Sequence, residues 1–156
     1  MRQAPHLLHG GRLDTPFLPL NPSRCARSKI YSMADSINDR KTLLISGASS
    51  GIGHAVCKRL ASSETQVFTV DIECAPPDLE VANHYQADLS VPAEVEKLTR
   101  TIRNDIDISS ISSLINVAGI PGTKPAEQVF QVNLLTVRFL SRQLAAHMRP
   151  GGTIVN

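Results

Sequence analysis

Cysteine is scarce in this 156-residue chain: Cys25, Cys57 and Cys74 are the only three. They form no C-x-x-C, and no histidine pair stands at ligand spacing, so neither a disulfide framework nor a metal site is expected. Reduced thiols fit a cytoplasmic protein. No apolar run approaches the roughly 20 residues of a membrane span, so no membrane partner is expected. The one glycine-rich stretch is not closed by Gly-Lys-Ser/Thr, which excludes a P-loop. A strong excess of charge is missing too. The formal net charge is +2, but residues 1–32 alone contribute +4, from Arg2, Arg12, Arg24, Arg27 and Lys29 against Asp14. Residues 33–156 therefore carry a net −2, which is no footprint for nucleic acid.

What is present suits one ordinary soluble domain, with 42% hydrophobic and 19% charged residues. Residues 1–32 read differently from the rest. Pro5, Pro16, Pro19 and Pro22 break any helix, and the apolar residues follow no period. This segment reads as a disordered N-terminal extension, and not as the amphipathic helix of an organelle-targeting peptide. Met33 reads as the natural start, the upstream stretch being a misassigned frame; a functional tail is the alternative.

The chain is organised around Lys41–Gly53, K-T-L-L-I-S-G-A-S-S-G-I-G. Thr42–Ile45 has the length and composition of a buried parallel strand. From Ile52 the spacing turns helical, with Ile52, Ala55, Val56 and Leu60 in step to about Ser62. Strand, glycine turn and helix start together make a phosphate site, because the helix N-terminus offers unpaired N–H groups and partial positive charge. Gly47 permits the turn, Gly51 removes a Cβ where a pyrophosphate approaches, and Gly53 lets the helix lie close on the strand. Ser49, Ser50 and Ile52 complete the turn. A plain glycine-rich loop is the alternative for the same residues.

Gln66–Val70 reads as a second strand ending in Asp71, 18 residues beyond Gly53. A carboxylate there accepts a hydrogen bond from an adenosine ribose 2′-hydroxyl and repels a 2′-phosphate. With no Arg or Lys at the strand end, NAD is expected over NADP; a solvated acid at a strand tip is the alternative. Ile72–Ala82, with Pro76-Pro77, leaves too little room for a crossover helix, so a short turn or an abbreviated helix is expected there. A third strand over Asn83–Ala87 then delivers Asp88 and Leu89 to the same edge. Ser90 suits an N-cap for a helix over Pro92–Ile106 that presents Val95, Leu98 and Ile102 on one face. Ile111–Asn116 is the fourth strand, Ala126–Met148 the longest helix, and Thr153–Asn156 begins a fifth strand. The fold class is α/β, a doubly wound parallel sheet of Rossmann type, in strand order 3-2-1-4-5.

Ser46–Gly53 resembles the T-G-x-x-x-G-I-G motif of the short-chain dehydrogenase/reductase family, with Ser46 in place of Thr. Asn116-Val117-Ala118-Gly119 is similar to its N-N-A-G segment, with Val117 replacing the second Asn. The resemblance runs over about Lys41–Asn156. The compact P-G-T-x-P stretch looks like the subgroup of bacterial 3α-hydroxysteroid and coniferyl-alcohol dehydrogenases. The resemblance implies that Ala87-Asp88-Leu89 contacts the adenine amino group; Asp88 also suits the start of the following helix. It implies further that Ala118 and Gly119 let the backbone approach the cofactor ribose and that Asn116 ties neighbouring strands. Asn133 would keep a water in the proton relay through a local distortion of its helix. A core Asn satisfied by a neighbouring backbone group is the other reading. The helix Ala126–Met148 is apolar around most of its circumference. By resemblance its surplus face packs on a second subunit, so a homo-oligomer is expected.

The implied chemistry is hydride transfer between a nicotinamide and a small-molecule alcohol or ketone, with a Ser and a Tyr-x-x-x-Lys as the reacting groups. Those groups are not found. Tyr31 is followed four residues later by Asp35, and Tyr85 by Leu89. Two readings follow. In one, residues 33–156 are the cofactor half of an NAD-dependent oxidoreductase, inactive alone and prone to associate through the bare fifth strand and long helix. In the other, the chain is a finished non-catalytic nucleotide-binding or interaction module.

Overall fold

A computed structural model describes residues 40–156. The readings placed on residues 1–32, on Tyr31 and on Met33 lie outside the described residues. Five parallel strands form one sheet in the order β3-β2-β1-β4-β5: β1 (Lys41–Ser46), β2 (Thr65–Asp71), β3 (Asn83–Gln86), β4 (Ile111–Asn116) and β5 (Thr153–Val155). This is the expected Rossmann order, with the reversal of direction between β1 and β4.

Central placement explains the composition of β1. It pairs with β2 on one side and β4 on the other, and its side chains alternate between two cores. Leu43 and Ile45 face α1 (Gly51–Leu60) and meet Val67, Cys57 and Ile115 there. Leu44 faces the opposite layer, built from α2 (Pro92–Asp105) and the segment after β4. In that layer Ile102, Leu140 and Leu144 are fully buried. Val95, Leu98 and Ile102 form the inner face of α2, as their spacing indicated.

The inner face of α1 differs from the expectation. Gly53 and Cys57 are buried, with Val56 and Leu60 packed beside them, whereas Ile52 and Ala55 point outward. The true stripe is Gly53, Val56, Cys57, Leu60, an i, i+3, i+4, i+7 series whose first member is a glycine. A hydropathy reading passes over glycine and so starts the stripe one residue early. Burial pushes the Cys57 thiol up to about 11.

As expected, no crossover helix forms between β2 and β3. The connection is instead latched to α1 from outside: Lys58 donates to Asp78 at 2.9 Å and His54 Nε2 lies 3.2 Å from the same carboxylate. The Lys58 hydrogen bond, with its charge, holds the Asp78 carboxyl below the usual carboxylate range.

The segment Ala126–Met148 is not one regular helix. α3 (Ala126–Phe130) passes into a π-helical turn (Gln131–Thr136) and then α4 (Val137–Ala145). Residues 146–148 close in a turn, with Arg149 N–H donating to the Ile111 carbonyl at 3.2 Å. Phe130, Leu134 and Leu135 are exposed on it. Val155, in β5, is exposed as well.

Ile102→Ala should cost about 2–5 kcal/mol, the usual range for a large aliphatic lost from a packed core. Ile52→Ala should stay within about 0.5 kcal/mol, as for an ordinary surface change. Urea unfolding midpoints of the two variants check the assignment of faces.

Candidate functional site

The C-terminal ends of β1, β2, β3 and β4 converge on one edge, where a doubly wound sheet places its ligand crevice. The turn after β1 is the tightest point. Gly47 has φ +75°, and a Cβ built on it would lie 2.6 Å from Cα and N of Ala118. A Cβ on Gly53 would run into the carbonyl of Gly47. Both positions must be glycine because backbone occupies the space, so β1, α1 and the loop after β4 meet without side chains between them.

Gly51 is different. Its φ is +56°, and nothing lies within 4 Å of where its Cβ would be. Beside it, Ser50 opens α1 without capping it by its side chain, and no acid stands in the first turn. The N–H groups of that turn therefore face an open, uncontested space. That geometry fits an anionic diphosphate, drawn by the helix dipole. Ile52 is 75% exposed, so any part it plays toward a ligand passes through its backbone N–H or its uncovered side chain.

Asp71 is joined to this turn directly. Its Oδ2 accepts from Ser49 N–H at 2.8 Å and its Oδ1 from Glu73 N–H at 3.1 Å. Ser49 Oγ donates onward to the carbonyls of Cys74 (3.2 Å) and Glu73 (3.4 Å). The acid predicted from an 18-residue spacing thus sits in contact with the glycine turn.

Asp88 carries the helix start. Its Oδ1 accepts from Ser90 N–H at 2.8 Å, and Glu94 reaches back to Asp88 N–H at 2.8 Å. Ser90 is not the cap that its residue type suggested; the cap position is Val91, without a side-chain bond. Leu89 turns its side chain into the core, and its carbonyl accepts from Thr136 Oγ1 at 2.9 Å. A contact from Leu89 to an adenine can pass only through its N–H.

Asn116 is buried: its Nδ2 donates to Asn156 Oδ1 at 2.8 Å and more weakly to Ser141 Oγ at 3.4 Å. It ties β4 to the end of β5 and to α4. Ala118 N–H donates to Ser46 Oγ at 3.3 Å, and Gly119 lies against Asn133, with 3.5 Å from its would-be Cβ to Asn133 Oδ1.

Asn133 is exposed within the π turn and is not a core residue. Its side chain clamps Ile120 from both sides, Oδ1 accepting from Ile120 N–H and Nδ2 donating to Ile120 carbonyl, each at 2.9 Å. The side-chain amide is satisfied by a neighbouring backbone group, and the helix around it is locally distorted. Thr136 and Gln131, which no motif singled out, complete the arrangement. Gln131 Nε2 donates to Thr136 Oγ1 at 3.1 Å, and the buried Thr136 hydroxyl reaches β3's loop. Their i, i+5 separation matches the π spacing and no α pattern.

Tyr85 packs in the main core, and burial pushes its phenol up to about 12. It takes no part at the open edge. Among the described residues no group of three or more His, Cys, Asp or Glu stands where it could hold a metal ion. No described helix is long and apolar enough to cross a membrane.

An open anion cradle at a helix start, an acid on the second strand and a parallel sheet reversing beside them define a dinucleotide-binding α/β fold. Comparison with known proteins gives the particular branch. Residues 41–156 match the family model for short chain dehydrogenases, and the chain belongs to that family. It is 35% identical over 116 residues to coniferyl-alcohol dehydrogenase of Pseudomonas sp. (strain HR199 / DSM 7063), an alignment covering 74% of this chain and 43% of that protein. Among solved structures it resembles a 4-hydroxyisoleucine dehydrogenase complexed with NADH, with 29% identity and a TM-score of 0.59 over 69% of this chain and 49% of that one. It also resembles a short chain dehydrogenase/reductase family oxidoreductase from Brucella ovis in complex with a partially ordered NAD. There the identity is 29% and the TM-score 0.54, over 69% of this chain and 57% of the other. The chain spans about half the length of the curated relatives it matches.

Gly53→Ala should destabilise by about 3 kcal/mol or more, as overpacking against fixed backbone does. Gly51→Ala should cost only about 1–2 kcal/mol, the strain of a left-handed backbone in open space. Thermal unfolding of both variants tests the order.

Proposed function

We propose that residues 33–156 are a nicotinamide-binding part of a short-chain oxidoreductase that uses NAD, acting on a small alcohol or ketone. One observation carries the cofactor assignment: the 2.8 Å bond from Ser49 N–H to Asp71, which makes the anion cradle and the ribose acid one site. The N–H groups of Gly51 and Ile52 would hold the diphosphate, with Ser49 and Ser50 at its flank. Asp71 would take the adenosine ribose hydroxyls, having lone pairs left after its two backbone bonds. The Asp88 carboxylate would accept from the adenine amino group, and the Leu89 N–H would donate to an adenine ring nitrogen beside it. Ala118 and Gly119 offer a side-chain-poor wall to the second ribose. When bound, NAD supplies a hydride acceptor at the nicotinamide ring.

Family resemblance supports giving Asn133 a supporting place in the proton relay. Its side chain is committed to Ile120, so the relay water would be held by the backbone of the distorted turn. The Ser, Tyr and Lys that transfer the proton in the family have no counterpart among these 156 residues, and these residues by themselves are proposed to be inactive. Coniferyl-alcohol dehydrogenase as a relative supports an alcohol substrate. A cytoplasmic setting agrees with the buried Cys57 thiol standing outside any disulfide. Phe130, Leu134 and Leu135 support a homo-oligomer built on this helix.

Titration with NADH, followed by nicotinamide fluorescence, tests the cofactor reading; absence of saturable binding to folded protein refutes it. Asp71→Ala should raise the NADH Kd about ten-fold or more and erode the preference over NADPH, since a charged hydrogen-bond acceptor is lost. Leu134→Glu with Leu135→Glu should shift the complete protein toward monomer in sedimentation velocity. An unchanged assembly would assign the contact to another surface.

A further inference from the structure

β3 does more than close the sheet edge. It runs beside β2 in the register Thr69↔His84, Val70↔Tyr85, Asp71↔Gln86. Alternation sends Tyr85 into the core, leaving His84 and Gln86 on the opposite face. Both are spent on the backbone of the loop that follows Asp71.

Three consecutive carbonyls of that loop are held from β3 and its end. The Asp71 carbonyl accepts from Ala87 N–H at 2.8 Å. Ile72 carbonyl accepts from Gln86 Nε2 at 2.9 Å. Glu73 carbonyl lies 2.9 Å from His84 Nε2, and because a carbonyl can only accept, that nitrogen carries the proton. His84 Nδ1 lies 2.8 Å from the buried Thr69 hydroxyl. The imidazole is thus held at both nitrogens, and burial lowers its pKa.

We propose that His84 and Gln86 are positioning residues for cofactor discrimination: they lock the Asp71–Glu73 backbone so that the Glu73 N–H keeps the Asp71 carboxylate where a 2′-phosphate would have to sit. The proposal rests on the cofactor reading above. Rejection of a phosphate by fixed charge falls with distance. A loop released from β3 would loosen the Glu73 N–H bond to Asp71 Oδ1 and leave the carboxylate free to turn about its remaining bond to Ser49 N–H. It would also loosen the hydrogen bond that the ribose receives. NADH binding then weakens while NADPH binding is relieved of repulsion, and the ratio of the two changes from both sides. A merely structural role would lower both affinities together.

The test compares NADH and NADPH dissociation constants of the complete protein for wild type, His84→Phe, His84→Gln and Gln86→Leu. His84→Phe and Gln86→Leu should each reduce the NADH preference roughly five-fold, the equivalent of one lost hydrogen bond. His84→Gln should retain it, since its amide nitrogen can reach the same carbonyl. Gln86 is exposed, so its variant reads the proposal even where His84→Phe does not fold. An unchanged ratio in Gln86→Leu, an equal loss of both ligands, or a His84→Gln as impaired as His84→Phe would overturn the inference while wild type still binds NADH. A folded wild type that binds neither dinucleotide would overturn the cofactor reading, and this inference with it.

Discussion

Everything at the open edge depends on one steric constraint, the mutual approach of Gly47, Gly53 and Ala118 without intervening side chains. Three chain segments far apart in sequence share that point: the turn after β1, the first turn of α1 and the loop after β4. Contact at backbone distance makes the turn rigid and sets the tilt of α1, and the tilt decides where its free N–H groups aim. Ser46 reinforces the same point by accepting from Ala118 N–H. Asp71 then attaches to a turn whose position is already determined, so its carboxylate is held by the fold and needs no cation.

Much of this was legible in the residues. The five strands followed from short apolar runs, their order from the Rossmann fold class, and the absence of a crossover helix between β2 and β3 from the short connection with Pro76-Pro77. The glycine spacing and the distance to Asp71 pointed to one site before any contact was known. Patterns with a strict period or a steric cause survive translation into structure. Features that arise from tertiary exchange do not. The α1 stripe begins at a glycine, which has no hydropathy to register. Ser90 has the residue type of a cap, yet its N–H is instead bound by Asp88 in the loop before the helix, and the cap position falls to Val91. Hydroxyls and amides such as Thr136 and Gln131 acquire their roles only when β3's loop comes within reach, and no local pattern announces it.

The two sides of the sheet are unequal. One layer has α2 and the segment after β4 over it; the other, among the described residues, has α1 and the latched β2–β3 connection. Lys58, His54 and Asp78 hold that connection on the surface, and Leu79 and Val81 beneath it extend the smaller core. A chain too short for a crossover helix thereby still covers the apolar face of β1 and β2.

The π turn has a consequence for tolerance of length changes. It carries its outward obligations at Asn133 and Thr136, while Leu140 and Leu144 further on are fully buried. Deleting a single residue of α4 between Thr136 and Leu140 would rotate every later side chain by roughly 100°. Either the clamp on Ile120 or the packing of α4 would then be lost. The widened turn therefore acts as a phase adjuster between two surfaces, and the register on its two sides cannot be altered independently.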